Sequence, residues 1–130
     1  MKKQKSLAKL KADCQLVFNQ YIRLRDKGKP CISCGQFKTL QAGHYFPIQG
    51  FDGLRYDEDN VSGECEYDNC FNEAHLISYG INLKNRIGEE RYNALLIRAD
   101  DYKKVGYRWS RSEIIELTDY YKQKIKELES

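Results

Sequence analysis

The chain has 130 residues, 22 Lys/Arg against 19 Asp/Glu, 41% hydrophobic and 32% charged residues, and a mean hydropathy of −0.75. Its length suits one domain. No run approaches the roughly 18 apolar residues of a membrane span, and 9 Gly with 2 Pro exclude a collagen-like or low-complexity class. The net charge of +3 is unevenly spread: residues 1–30 carry nine bases and two acids, residues 31–75 two bases and eight acids, and residues 76–130 eleven bases and nine acids. A basic arm beside an acidic centre suits a protein that attracts phosphates with one part and holds cations with another. The charged start, MKKQKSLAKLKAD, lacks the apolar stretch of a signal peptide, so the sequence reads as a soluble cytoplasmic protein without a membrane partner.

In chain order, the first predicted element is a helix over residues 6–26. Leu7, Leu10, Cys14, Val17, Phe18, Tyr21 and Leu24 form its apolar stripe, and Gly28 and Pro30 stop it. Cys14 on that stripe reads as a small buried hydrophobe. Residues 38–46 suit a strand, 50–60 a loop with its own turns, and 60–64 the second arm of a hairpin. A helix over about 72–86 follows, then a turn at Gly88 and a short helix over 89–99. The last helix is the best marked. Ser110 and Glu113 make a capping box, and Ile114, Ile115, Leu117, Thr118, Tyr121, Ile125 and Leu128 follow at helical spacing. The whole chain reads as a single α+β domain: a basic N-terminal helix (1–30), a small metal-rich centre (31–87) and C-terminal helices (88–130).

Five cysteines in a chain without an export signal point to metal binding or catalysis rather than disulfides. Cys31 and Cys34 form a C-x2-C knuckle followed by Gly35, and Cys65 and Cys70 lie at C-x4-C spacing. Two such pairs predict one closed tetrahedral structural zinc site with four sulfur ligands, with either histidine as an alternative fourth ligand. Both histidines, His44 and His75, fall in this same zone.

The segments CISCG (31–35), QAGHYF (41–46), LRYDEDNVSGEC (54–65) and CFN (70–72) together resemble an HNH endonuclease with zinc knuckles, and more narrowly the phage NinG/Rap recombination nuclease family. The resemblance implies an HNH-like ββα-metal core, carried by residues 31–87 and flanked by the outer helices. It implies that His44 is the general base, that Asn60 braces the loop and orients the imidazole, and that Asn72, His75 or both hold a catalytic Mg²⁺ or Mn²⁺. Gly43 stands where many such sites have an acidic ligand, leaving Asp57, Asp59 or Glu64 to supply it. By the same resemblance the substrate is branched DNA, such as Holliday junctions or D-loops, met in a bacterial host cell, and paired cleavage suits a homodimer.

Lys2, Lys3, Lys5, Lys9, Lys11, Arg23, Arg25, Lys27, Lys29 and Arg55 are the candidate phosphate contacts. The stretch Lys103, Lys104, Tyr107, Arg108, Trp109, Arg111 reads chiefly as packing that docks the last helix, with stacking on unpaired nucleotides as the alternative. The rival to the nuclease is a non-catalytic zinc-stabilised DNA-binding or recombination-accessory module. It needs the cysteines and the basic arm, but neither His44 nor Asn60.

Overall fold

A computed structural model describes residues 4–130. Six regular elements follow in order: α1 (Leu7–Arg25), β1 (Leu40–His44), β2 (Val61–Cys65), α2 (His75–Ile87), α3 (Glu89–Val105) and α4 (Arg111–Glu129). The result is mixed α and β, with one two-stranded antiparallel sheet among helices. Among the described residues no helix is long and apolar enough to cross a membrane.

Local chemistry sets the boundaries. The Ser6 hydroxyl accepts the Lys9 amide and starts α1. The capping box at α4 is formed in both directions between Ser110 and Glu113. The loop of residues 66–74 opens with a single wide turn over Tyr67–Phe71, which delays α2 to His75 rather than residue 72. Helix α3 runs six residues past Ala99, the predicted end. Its apolar face continues there, because Tyr102 falls three residues after Ala99 and packs on the same core. A positive φ of 80° at Gly106 then ends it.

The hairpin is the middle layer. Its register pairs Leu40 with Cys65, Ala42 with Gly63 and His44 with Val61. On one side, Val61 joins Cys14, Phe18 and Ile22 of α1 and Ile114 and Tyr121 of α4 in one core. Phe18 lies edge-on to Tyr121 at 4.9 Å and to Tyr56 at 5.9 Å. Ile22 and Gln15 are buried although neither lies on the predicted stripe, and Cys14 has no exposed surface. On the other side, Ile32, Leu54, Tyr79, Leu83, Leu95 and Ala99 form a second core beneath α2 and α3. The Tyr79 hydroxyl donates to the Gly43 carbonyl at 2.7 Å, tying α2 to β1. Trp109 docks the start of α4, with its indole N–H on the Asp52 carbonyl at 3.1 Å and its ring 5.1 Å from Tyr56.

Candidate metal centre and histidine groove

The knuckle at residues 31–35 is a tight turn. Gly35 N–H returns to the Cys31 carbonyl at 2.9 Å, Cys31 N–H donates to the Gln36 carbonyl at 2.8 Å, and Gly35 takes φ 74°. Ile32 N–H donates to the Gly63 carbonyl at 3.0 Å, which lays the turn against β2. This places Cys31 and Cys34 beside Cys65, at the end of that strand. The fourth ligand position is taken by Asp68. Potential ligand atoms of Cys31, Cys34, Cys65 and Asp68 all lie within 4.8 Å of one another.

Cys70 is not in this group, contrary to the four-sulfur expectation. The wide turn over Tyr67–Phe71 carries its thiol to the exposed side, where Sγ lies 3.6 Å from Gln41 Oε1. The signal for Asp68 was present in the sequence: Cys65-x2-Asp68 repeats the spacing of Cys31-x2-Cys34. Asp68 Oδ2 lies 3.2 Å from Cys65 Sγ and 3.4 Å from Cys31 Sγ, and the Cys34 and Cys65 sulfurs are 4.0 Å apart. Bonds of about 2.0–2.3 Å to a tetrahedral zinc put ligand atoms roughly 3.3–3.8 Å apart, so the donor set fits one zinc ion. Three sulfur ligands favour zinc over magnesium. A carboxylate carries the same charge as the thiolate it replaces.

The electrostatics agree with a ligand set that binds by losing protons. Loss of solvent pushes the Cys34 thiol up and the Cys65 thiol up to about 12. Burial alone would raise Asp68 too, but hydrogen bonds from Asn72 and the neighbouring thiols hold its carboxyl at about 2. A cation entering here displaces thiol protons. The Cys65 amide already points at Cys31 Sγ, 3.3 Å away.

His44 ends β1, and a groove of about 420 Å³ opens beside it, lined by Gln15, Asn19, His44, Asn69 and His75. His44 Nε2 lies 3.2 Å from the Arg55 carbonyl. A carbonyl only accepts, so Nε2 carries the proton and Nδ1 keeps the lone pair. Burial, reinforced by the positive charge of Arg55, lowers the His44 pKa below its ordinary 6.5, and the carbonyl contact opposes this only in part.

Asn60 is fully buried and clamps the chain just beyond His44. Its Oδ1 accepts from Phe46 N–H at 2.8 Å, and its Nδ2 donates to the carbonyls of Phe46 at 3.0 Å and Leu54 at 3.1 Å. His75, at the start of α2, donates from Nδ1 to Glu64 Oε2 at 2.6 Å, leaving Nε2 free. Glu64 has no exposed surface, its Oε2 also accepts from Ser33, and its Oε1 has no partner. A Cβ on Gly43 would come within 2.8 Å of Glu64 Cβ, so glycine there makes room for the carboxyl.

The remaining candidates are engaged elsewhere. Asn72 donates to Asp68 Oδ1 at 3.0 Å and accepts the Ala74 amide at 3.2 Å; it serves the cysteine cluster and does not line the groove. Asn69, which sequence reasoning missed, takes that place, directly after Asp68. Asp57 pairs with Arg98 and Asp59 with Arg91, so neither faces His44 as a free carboxylate. Among the described residues, neither histidine belongs to a second group of three or more such ligands.

The basic arm is less free than its charge suggests. Lys5 and Lys9 pair with Asp13, and Lys11 with Asp52. Arg25 is bound to Asp26 and to the Glu58 and Val61 carbonyls. Arg55 is bound to Gln15 and Asp52. Lys29 lies 3.5 Å from Asp26. Arg23 and Lys27 are exposed beside an open hollow. Lys2 and Lys3 lie outside the described residues.

Comparison with known proteins adds a family. The model described as bacteriophage lambda NinG protein matches residues 1–130. Protein ninG of Escherichia phage 933W is 34% identical over 116 residues, covering 88% of this chain and 55% of that protein. Protein ninG of Salmonella phage P22 has the same identity and coverage, and that of Escherichia phage lambda is 33% identical, over 88% of this chain and 54% of its own length. The chain spans about half the length of these curated relatives. No solved structure matches it at a significant level.

Proposed function

We propose that this chain, which belongs to the NinG family, is a metal-dependent DNA endonuclease of the HNH type that cuts branched recombination intermediates in the groove beside His44. One observation carries the reading: the His44 imidazole is fixed by the Arg55 carbonyl in the tautomer that leaves Nδ1 free, and burial keeps it neutral. A general base near neutral pH needs both properties.

In this reading the scissile phosphate lies in the groove. Nδ1 of His44 takes a proton from water, the water oxygen bonds to phosphorus, and the bond to the 3′ oxygen breaks; solvent then protonates the leaving oxygen. Asn60 keeps the imidazole in place by holding the backbone of Phe46 and the turn at Leu54. His75 Nε2 and the carbonyl oxygen of the Asn69 side chain would hold Mg²⁺ or Mn²⁺, because His75 Nδ1 is committed to Glu64 and Asn69 Nδ2 to Gln41. A cation held there supplies stabilisation of the charge building on the phosphate and leaving oxygen. The zinc centre stays structural.

The rival reading, a non-catalytic zinc module that binds DNA or a recombination partner, draws on the absence among the described residues of a second three-ligand group near His44. Incubation with a four-way junction and Mg²⁺ or Mn²⁺ decides between them. Metal-dependent cleavage that is lost in His44→Ala and His75→Ala, with zinc content and melting temperature kept, is the expected result. Binding without cleavage under every metal would favour the module.

A further inference from the structure

A second hollow lies further along α1 and β1 from the groove beside His44. Leu40, Ala42 and His44 alternate onto one face of β1. On α1, Gln15, Asn19 and Arg23 follow at four-residue steps, and Lys27 keeps that spacing in the turn just after the helix. Gln15, Asn19, Ala42 and His44 line the histidine groove. Arg23, Lys27 and Leu40 line a second hollow of about 670 Å³. The two hollows share no lining residue, but both are bordered by this row of side chains and by this face of β1. Leu40 and His44 are separated by about 13 Å of strand, at roughly 3.3 Å per residue.

The second hollow differs in its chemistry. Arg23, Lys27, Lys29 and Lys38 ring the second hollow, and no acidic side chain lines it. Among the described residues, Lys29 is the one of these cations that pairs with a carboxylate, Asp26 at 3.5 Å. At the rim stands Phe37, 76% exposed. Such an exposed ring leaves its apolar surface in water. The ring is presented by an ordered turn, since it directly follows Gln36, whose carbonyl accepts the Cys31 amide.

We propose that this hollow holds an unpaired nucleotide of the DNA strand that runs from the His44 groove, with its base stacked on Phe37 and its phosphates on Arg23, Lys27 and Lys38. Exposed cations beside an exposed aromatic are the pairing that single-stranded nucleic acid rewards, because every base has a π-face and every linkage a charge. An acidic peptide would use the cations and leave Phe37 idle. The link to His44 rests on the nuclease reading; the binding of an unpaired nucleotide does not.

Fluorescence anisotropy on the zinc-loaded full chain tests this, with labelled oligothymidylate and a blunt duplex and no added Mg²⁺. Phe37→Ala is expected to weaken oligothymidylate binding about tenfold and duplex binding by less than about twofold, with zinc content and melting temperature unchanged. Phe37→Trp is expected to restore affinity and to show indole emission quenched on binding. Lys27→Gln combined with Lys38→Gln is expected to lower the slope of log affinity against log salt by about 1.4. Unchanged affinity in Phe37→Ala, an equal loss on duplex and single strand, or displacement by polyglutamate as effective as by oligonucleotide would overturn the proposal. The junction assay keeps the two readings apart. No cleavage with a Phe37-dependent affinity supports the hollow and removes the nuclease. His44-dependent cleavage with a Phe37-independent affinity does the reverse.

Discussion

Removing one candidate fourth ligand at a time tests the metal centre directly. Asp68 Oδ2 sits 3.2 and 3.4 Å from two of the sulfurs, whereas the Cys70 thiol lies against Gln41 on the exposed side. Structural zinc contributes about 10–16 kcal/mol over four ligands, so one ligand's share is roughly 3 kcal/mol, a factor on the order of 100 in affinity. Asp68→Asn keeps an acceptor for Asn72 but loses the charge, and is expected to weaken zinc by about that factor. Cys70→Ser is expected to leave zinc affinity unchanged. Competition against a chromophoric chelator reads both. A cobalt-loaded sample adds a second readout, since Asp68→Cys raises the sulfur ligands from three to four and should strengthen the thiolate-to-cobalt charge-transfer band by about a third. If Cys70→Ser releases the ion while Asp68→Asn retains it, residues 66–71 rearrange around the metal and the reasoning from Asp68 is wrong.

The other predictions follow from single contacts. Asn60→Ala removes a buried side chain that makes three hydrogen bonds; it should cost about 2–4 kcal/mol in urea unfolding, and a loss under about 1 kcal/mol would contradict its role as a clamp. Gly43→Ala drives a Cβ into the Glu64 side chain, an overpacking cost of about 1–3 kcal/mol; a neutral effect would show that Glu64 moves freely. His44 has a folded pKa below its ordinary 6.5, so below pH 6.5 the unfolded chain binds more protons and stability falls with pH. Urea midpoints between pH 7.5 and 5.5 should therefore decline, and His44→Gln should flatten that decline; identical slopes would refute the assignment.

Much of this was legible in the sequence. The capping box at Ser110, the glycine stops and the hairpin arms at residues 38–46 and 60–64 are local signals, and local physics sets them. The cysteine knuckle is local as well. What escaped depends on tertiary neighbours. Gln15 is buried on α1 because it meets the Arg55 side chain and carbonyl across forty residues. Arg25 and Arg55 read as phosphate contacts because the partners that complete their neutralisation by Asp26 and Asp52, the Glu58 and Val61 carbonyls and Gln15, come from distant segments. The sequence points to Cys70 and leaves Asp68 unnoticed, because a cysteine is a louder signal than a carboxylate at the correct spacing. The choice depended on the wide turn at residues 67–71, which periodicity does not announce.

The two candidate centres are joined through one buried carboxyl. Ser33 lies inside the knuckle, between Cys31 and Cys34, and its hydroxyl donates to Glu64 Oε2. The same oxygen accepts from His75 Nδ1, so the knuckle's own turn helps to set the direction in which His75 Nε2 points. A carboxyl that fixes the tautomer and orientation of a histidine is a common way to prepare that histidine for a metal. Glu64 can do so only because Gly43 opposite it has no side chain and because Cys65, the next residue, is anchored in the cysteine cluster. Glycine where an acidic ligand was expected before His44 thus has a structural reason: on this hairpin the space is given to a carboxyl from the neighbouring strand, which acts on the groove through His75. A change at the cysteine cluster would accordingly reach the groove through Ser33, Glu64 and His75.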